Sequence, residues 1–212
     1  MKHLIIIGVG GFARECYWHA QDSIGYGKEW DIKGFLDGDV KLAPKEYEKL
    51  DNMLLGNIFT YEVQPEDVFI CAIGDGDARE KVATQMMKQG AVFINLIHCT
   101  AIVQGCVIMG HGNIIGPQVI VGDHAVMGDF VVLNTRAGLG HDSVVGSYSS
   151  FMSGASLSGY AVAGRHTYWA TNAVALPHSK IGDRVSVGVG SVVFRRVRTG
   201  KKVFGNPAVA YE

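Results

Sequence analysis

The chain has 212 residues, of which 48% are hydrophobic, and its formal net charge is −1. This length allows one large domain or two small ones, and the near-neutral charge provides no basic surface of the kind that binds nucleic acid. The 28 glycines and only 5 prolines favour an ordered, turn-rich protein over a disordered one. No stretch approaches the ~20 apolar residues of a membrane span, so we expect none.

The four cysteines form neither a CxxC pair nor a disulfide framework. Unpaired thiols are typical of a reducing compartment, so the sequence predicts a cytoplasmic protein. The apolar run that begins the chain is short, leads into glycines and lacks a convincing cleavage site, which argues against a signal peptide.

Residues 1–97 alternate short apolar runs with helical segments. This alternation predicts a small parallel sheet covered by helices. The predicted strands lie at 4–7, 32–36, 68–73 and 92–97, and the predicted helices lie at 14–23 and 78–89.

Three of the predicted strands run into turns that could hold a ligand, namely GVGGFA at 8–13, Asp37 with Gly38, and Gly74. Ligands of parallel sheets bind off the carboxyl ends of the strands, where these turns fall. GVGGFA is open to two interpretations, a tight strand-to-helix turn or a cradle for a phosphate at a helix N-terminus. A second βαβαβ half is missing, so a nucleotide or nucleotide-sugar fits better than NAD.

From residue 101 to residue 196 the chain repeats every six residues without insertion. The third place of each six is always apolar, and its sixteen occupants are Val103, Met109, Ile115, Val121, Met127, Leu133, Leu139, Val145, Phe151, Leu157, Ala163, Trp169, Ala175, Ile181, Val187 and Val193. A hexapeptide period is typical of a parallel β-helix, in which three sixes close one triangular coil. The sequence thus predicts an α/β domain at 1–97 followed by an all-β solenoid at 98–212.

Two further features of the repeat predict how the coils pack. Trp169 shares its predicted layer with Ala163 and Ala175, which keeps the volume of the layer constant, and Phe151 and Val187 should lie above and below it. The fourth place of each six is usually Gly, and we expect these glycines to supply the positive φ of sharp corners.

One of the solenoid histidines has a carboxylate as its direct neighbour on the C-terminal side. Asp142 follows His141, and a carboxylate beside an imidazole can orient its tautomer for general-base chemistry. A solvated corner without a catalytic role is the alternative. The solenoid histidines are too widely spaced along the chain to suggest a zinc site, so no metal is expected.

The motifs GVGGFA, FLDG (35–38), AIGD (72–75), NT (134–135), GHD (140–142), SGASLSG (153–159) and GNPA (205–208) occur together. With them the chain resembles, over nearly its whole length, the nucleotide-sugar acetyltransferases typified by the sialic-acid O-acetyltransferase and the bacillosamine-pathway N-acetyltransferase. The resemblance implies a Rossmann-like N-terminal domain, a left-handed parallel β-helix, a homotrimer, and acetyl-CoA bound in the groove between adjacent β-helices.

The resemblance also implies roles for individual residues. His141 matches the general base, Asp142 its acidic neighbour, and Asn134 an active-site asparagine. The residues that match the nucleotide-sugar pocket are Gly10, Gly11, Phe12, Asp37, Gly38 and Gly74. The residues that match the acetyl-CoA groove are Thr171, Gly188 and Val189, together with Ser150, which stands where the family often has a second histidine.

The predicted function is therefore acetyl transfer from acetyl-CoA to an amine or hydroxyl of a nucleotide-linked sugar in cell-surface glycan synthesis. The acceptor would attack the thioester directly, without an acyl-enzyme, while His141 takes the proton. Two alternatives remain open at this stage. One is an acetyltransferase for an amino acid or a free sugar, and the other is a non-catalytic scaffold that binds a sugar nucleotide.

Overall fold

The computed structural model describes residues 1–38 and 53–211. The chain divides into two compact units, Met1–Leu96 and Ile97–Glu212, whereas the sequence placed the boundary one residue later. No helix within the described residues is both long and apolar enough to cross a membrane.

The first unit contains a four-stranded parallel sheet whose order is β3-β2-β1-β4. Its elements are β1 (Lys2–Ile7), α1 (Gly11–Gln21), β2 (Trp30–Asp37), β3 (Leu54–Asn57), β4 (Asp67–Cys71) and α2 (Gly76–Lys88). The chain passes from β1 to β2 on one side and later to β4 on the other. The carboxyl end of β1 is therefore the point where strand order reverses, and such points create ligand crevices.

The helices of this unit bury narrow apolar stripes. Ala13, Cys16 and Ala20 are buried on α1. The side chain of Asp75 accepts a hydrogen bond from Ala78 N at 2.8 Å and so caps the start of α2. Both helices begin close after a strand, which leaves their N-termini near the carboxyl edge of the sheet.

Two predictions for this unit were wrong. The expected strand at 92–97 is not one element, because Phe93 forms only an isolated bridge with Phe69 while Leu96–Ile97 is a strand of the solenoid. The strand Leu54–Asn57 was not expected. An apolar run does not reveal which of two sheets it joins, and a four-residue edge strand that is only half-buried has a weak pattern.

The second unit is a solenoid of short parallel strands arranged in three faces. Face 1 consists of Leu96–Ile97, Ile114–Ile115, Val132–Leu133, Ser150–Phe151, Tyr168–Trp169, Ser186–Val187, Lys202–Phe204 and the antiparallel Val209–Tyr211. Face 2 consists of Ile102–Val103, Ile120–Val121, Gly138–Leu139, Ser156–Leu157, Val174–Ala175 and Val192–Val193. Face 3 consists of Ile108–Met109, Val126–Met127, Val144–Val145, Val162–Ala163, Lys180–Ile181 and Arg196–Val197.

The predicted stacking by eighteen is confirmed. Phe151 pairs with Trp169, and Trp169 pairs with Val187. The rings of Phe151 and Trp169 stack with centroids 5.2 Å apart. Trp169, Ala163 and Ala175 are all buried, so one large and two small side chains fill this layer.

The predicted role of the fourth-place glycines was wrong. Positive φ occurs at the sixth place instead, mostly in residues other than glycine, namely Gln118, His124, Phe130, Arg136, Asp142, Tyr148, Tyr160, His166, Asn172, His178 and Arg184. Glycine is required at the fourth place because the backbone of the next coil lies very close to it. A Cβ on Gly122 would lie 2.6 Å from His141 N, and one on Gly140 would lie 2.5 Å from Gly159 N. Adjacent coils approach too closely there for a side chain.

Candidate active site

His141 and Asp142 lie at the corner that joins face 2 to face 3, called corner 2 below. His141 Nδ1 is 2.8 Å from Asp142 Oδ2, and the two side chains are 61% and 40% exposed. An ionised carboxylate can only accept a hydrogen bond, so Nδ1 is the donor in this pair. In the neutral imidazole Nε2 then keeps its lone pair and is the nitrogen that can act as a base.

The coils on either side fix the backbone and ring of this pair. Asp142 has φ of 55°, and its N–H donates to Asp123 O at 2.9 Å. Tyr160 N donates to His141 O at 3.1 Å, and the Tyr160 ring meets the imidazole edge-on with centroids 5.1 Å apart. Gly159 lies against the ring, since a Cβ there would be 2.6 Å from Nε2. The ring is thus held between its carboxylate, an aromatic edge and a bare backbone.

Carboxylate pairing alone does not distinguish this histidine. His124 Nδ1 is 2.8 Å from Asp123 Oδ2, and His111 Nδ1 is 3.0 Å from Asp129 Oδ1. The hydrogen bond from His124 holds the pKa of the Asp123 carboxyl below its usual value. An aromatic ring of the next coil meets both His141 and His111 edge-on, whereas the close contact with a glycine of the next coil is found at His141.

The structure groups the predicted cofactor residues on a different corner. Corner 1, which joins face 1 to face 2, carries the predicted cofactor residues Thr171, Gly188 and Val189 and also the predicted active-site residue Asn134, each one or two residues after a face 1 strand. Asn134 Oδ1 accepts a hydrogen bond from Thr135 N at 2.7 Å. Asn134 and Gly188 are three coils apart, which corresponds to about 14 Å along the solenoid at the usual strand spacing. These residues line one edge of the solenoid.

Ser150 and His141 are not brought together within one chain. Ser150 is buried in the face 1 strand Ser150–Phe151, and its N–H donates to Thr167 O at 2.8 Å. Face 1 lies opposite corner 2 across the triangular section, because corner 2 joins the other two faces. The buried Ser150 and the exposed His141 therefore do not face each other within the chain.

The predicted nucleotide-sugar residues do meet at the carboxyl edge of the sheet. Gly10 is the N-cap of α1 and provides no side-chain cap, so first-turn N–H groups are available to a ligand at this helix end. Val9 N donates to Asp37 Oδ2 at 3.0 Å, which ties the glycine-rich turn to the end of β2. Phe12 is half-buried in the first turn of α1.

Three residues around this edge were missed. Asn57 Nδ2 donates to Gly38 O at 2.8 Å. The ring of Phe59 is exposed and lies 3.6 Å from where a Gly38 Cβ would be. The buried Arg79 donates from Nη1 to Gly74 O at 3.1 Å. Arg79 could have been found, because it occupies the apolar stripe of α2 and a buried cation there requires partners.

Comparisons with known proteins agree with both units. The family profile for the PglD N-terminal domain matches residues 3–86. The GDP-perosamine N-acetyltransferase of Escherichia coli O157:H7 is 29% identical over 208 residues, which cover 96% of this chain and 93% of that protein. The acetyltransferase domain of PglB from Neisseria gonorrhoeae FA1090, solved with acetyl coenzyme A, matches with a TM-score of 0.85 and 27% identity and covers 99% of both chains.

A further solved structure supports the fold. PerB from Caulobacter crescentus, in complex with CoA and GDP-perosamine, matches with a TM-score of 0.88 and 24% identity over 100% of this chain and 98% of that one. The acetyltransferase domain of PglB shares the arrangement of a Rossmann-like domain followed by a parallel β-helix, and this architecture is that of an acyltransferase with hexapeptide repeats. More particularly, residues 3–86 match the PglD N-terminal domain, and over its whole length the chain is similar to sugar N-acetyltransferases of that type.

Proposed function

We propose that the chain transfers the acetyl group of acetyl-CoA to the amine of a nucleotide-linked sugar. The observation that carries the proposal is the His141–Asp142 pair, whose 2.8 Å hydrogen bond leaves Nε2 free at an exposed corner. An amine rather than a hydroxyl is favoured because the relative from Escherichia coli is named as an N-acetyltransferase of a GDP-linked amino sugar.

In the proposed mechanism the sugar amine attacks the thioester carbonyl without an acyl-enzyme. The C–N bond forms while His141 Nε2 takes the proton of the amine, and the C–S bond then breaks to release CoA as its thiol once it regains a proton. Asp142 holds the imidazole in the Nδ1–H tautomer and stabilises the imidazolium that forms. General-base catalysis of this kind contributes about 10²–10⁴-fold to the rate.

We further propose that the active enzyme is a homotrimer. Acetyl-CoA would lie between adjacent solenoids, with corner 1 residues Thr171, Gly188 and Val189 along the cofactor and Asn134 near the reacting group. The outward places of faces 2 and 3 expose an apolar stripe that association would cover, made of Ile102, Ile108, Ile120, Val126, Val144 and Val162.

We assign the nucleotide-sugar to the carboxyl edge of the N-terminal sheet. Gly10, Gly11 and Phe12 would receive its phosphates at the N-terminus of α1, and Asp37, Gly38 and Gly74 would complete the pocket. The four cysteines are all free thiols, which supports a place in the cytoplasm. There the product would serve the synthesis of a surface polysaccharide.

Thiol release from acetyl-CoA tests the proposal. Wild-type protein and the variants His141→Ala and His111→Ala would be assayed with GDP-, UDP- and dTDP-linked amino sugars. His111 is a matched control because it is also paired with an aspartate at 3.0 Å. We expect His141→Ala to lower kcat by about 10²–10⁴, with calorimetric nucleotide binding unchanged and the control fully active.

Two outcomes would contradict the proposal. Wild-type turnover by His141→Ala would exclude the general-base assignment. Nucleotide binding without thiol release from any substrate in the panel would instead favour the scaffold alternative.

A further inference from the structure

Three donor side chains of different chemistry converge on corner 2, one coil before the His141–Asp142 pair. Cys106 and His124 occupy the sixth place of consecutive coils, and Asp123 precedes His124. A thiol sulfur, a carboxylate oxygen and an imidazole nitrogen of this cluster all lie within 4.8 Å of one another. Cys106 and His124 are exposed and Asp123 is half-exposed, so a solute can reach the cluster.

The chemistry of the three donors matches the preferences of zinc. Zn²⁺ accepts thiolate, imidazole and carboxylate ligands at about 2.3, 2.0–2.1 and 2.0–2.2 Å in tetrahedral geometry. Such bonds separate neighbouring donor atoms by roughly 3.3–3.6 Å. The three donor atoms all lie within 4.8 Å of one another, and His124 Nδ1 and Asp123 Oδ2 are 2.8 Å apart, so their separations lie on both sides of the tetrahedral values. Cys106 and His124 are exposed, so their side chains can rotate towards a cation.

Each of the three side chains has a form that binds cations. A carboxylate, a neutral imidazole and a thiolate are all ligands of Zn²⁺. Coordination by a cysteine replaces its S–H bond by a metal–sulfur bond and releases one proton.

The other histidine–carboxylate pairs of the solenoid provide an internal comparison. His141–Asp142 and His111–Asp129 have similar distances of 2.8 and 3.0 Å. Among residues 1–38 and 53–211, the Cys106 cluster is the one group of three such donors close enough to hold a metal ion. The Cys106 thiol, and not the histidine–carboxylate pair, distinguishes this cluster from the other two.

We propose that Cys106, Asp123 and His124 form a binding site for one thiophilic divalent cation of the Zn²⁺ class, with water as the fourth ligand. The site adjoins the proposed acyl-transfer machinery but shares no side chain with it. His141 and Asp142 belong to the next coil and pair with each other, and the backbone of Asp123 accepts the hydrogen bond from Asp142 N at 2.9 Å. The histidine spacing gave no sign of it, since a cysteine and an aspartate supply two of the three ligands.

Titration of the chelator-treated full chain with Co²⁺ tests this site. A Co²⁺ ion bound to a thiolate gives a near-ultraviolet charge-transfer absorption, and Zn²⁺ should displace it because the site binds Zn²⁺ more tightly than Co²⁺. We expect one Co²⁺ per chain. Cys106→Ser should abolish the absorption, and Asp123→Ala or His124→Ala should weaken Co²⁺ binding at least about tenfold. Cys99→Ser is the matched control, because Cys99 is also a free, exposed thiol.

The outcomes separate this proposal from the acyl-transfer function. Absence of the charge-transfer absorption in wild-type protein, or its survival in Cys106→Ser, would overturn the site. Loss of the absorption in Cys99→Ser would show that the cation binds at Cys99, which would also overturn the proposed site. Circular dichroism of each variant distinguishes a lost ligand from a lost fold. Chelator-treated protein should keep its thiol-release activity, and loss of that activity would contradict the separation of the two sites.

Discussion

Gly159 and His141 are in contact across adjacent coils, and a Cβ on Gly159 would lie 2.6 Å from His141 Nε2. The φ of Gly159 is not positive, so its backbone does not itself require glycine. The absence of a side chain at this place therefore serves the position of the imidazole.

We expect Gly159→Ala to lower kcat by about 10–100-fold, because the added methyl group displaces the base from the reacting amine. Gly105→Ala is the matched control. Gly105 has the same place in its own six, and a Cβ there would meet nothing within 4 Å. Steady-state kinetics with saturating acetyl-CoA measures the effect. Equal kcat values for the two variants would show that the contact does not matter for turnover.

Asp142→Asn should separate the orienting role of the carboxylate from its role in the turn. Asn tolerates the φ of 55° at this position, so the thermal melting temperature should stay unchanged. The Asn amide can donate to Nδ1 and thereby favour the wrong tautomer. A buried orienting carboxylate is worth about 10⁴-fold, and because this pair is exposed we expect a kcat loss of about 10–10³-fold.

The control for Asp142→Asn is Asp129→Asn, which alters the equivalent pair with His111. Its kcat should match that of the wild type. A wild-type kcat in Asp142→Asn would mean that His141 needs no orienting partner.

The buried Asp67 should make the stability of the N-terminal domain depend on pH. Its side chain is fully buried, and Lys33 Nζ is 2.6 Å from Oδ1. Burial raises the pKa of Asp67, but hydrogen bonds from Lys33, Gln64 N and Tyr61 outweigh burial and leave it below the usual value. A depressed pKa stabilises the fold above the unfolded value of about 3.9, and this stabilisation is lost as the pH falls through the folded pKa.

Lys33→Met should therefore lower the free energy of unfolding by about 1.5–3 kcal/mol at neutral pH, the usual worth of a hydrogen bond to a charged group. The deficit should shrink as the pH falls from neutral, because the buried Asp67 carboxyl without Lys33 becomes protonated more readily and protonation removes the unpaired charge. Urea unfolding at several pH values measures it. Lys2→Met removes the exposed pair with Glu66 and should change nothing. A deficit that is independent of pH would contradict the role of Asp67.

The solenoid could be predicted from the sequence because its six-residue repeat follows directly from how side chains pack inside each coil. The place of Trp169 between Ala163 and Ala175 followed from counting alone, since a closed layer must keep its volume. The reason for the glycines could not be found in the same way. Whether Gly122 supplies an unusual φ or merely a missing side chain depends on the distance to the next coil, and composition does not contain that distance.

The candidate site was predictable where its residues adjoin in the sequence. His141 and Asp142 are neighbours, so their pairing was foreseen. Gly159 is eighteen residues beyond His141, and the register of eighteen between coils would have shown it. Cys106 and His124 are related by the same interval. Asn57 stabilises a loop through the carbonyl group of Gly38, for which the sequence has no comparable signal.

The constant register between coils has a consequence for how such a chain can change in evolution. On face 3, paired residues in neighbouring strands are eighteen residues apart, as for Ile108, Val126 and Val144. The interval is sixteen in the last coil, where Lys180 pairs with Arg196. Duplication or loss of a whole coil keeps every inward side chain inward, whereas a single inserted residue turns all later ones outward. The solenoid can therefore gain or lose whole coils without a change in the geometry of corner 2. The last coil is two residues shorter, so this rule does not extend to it.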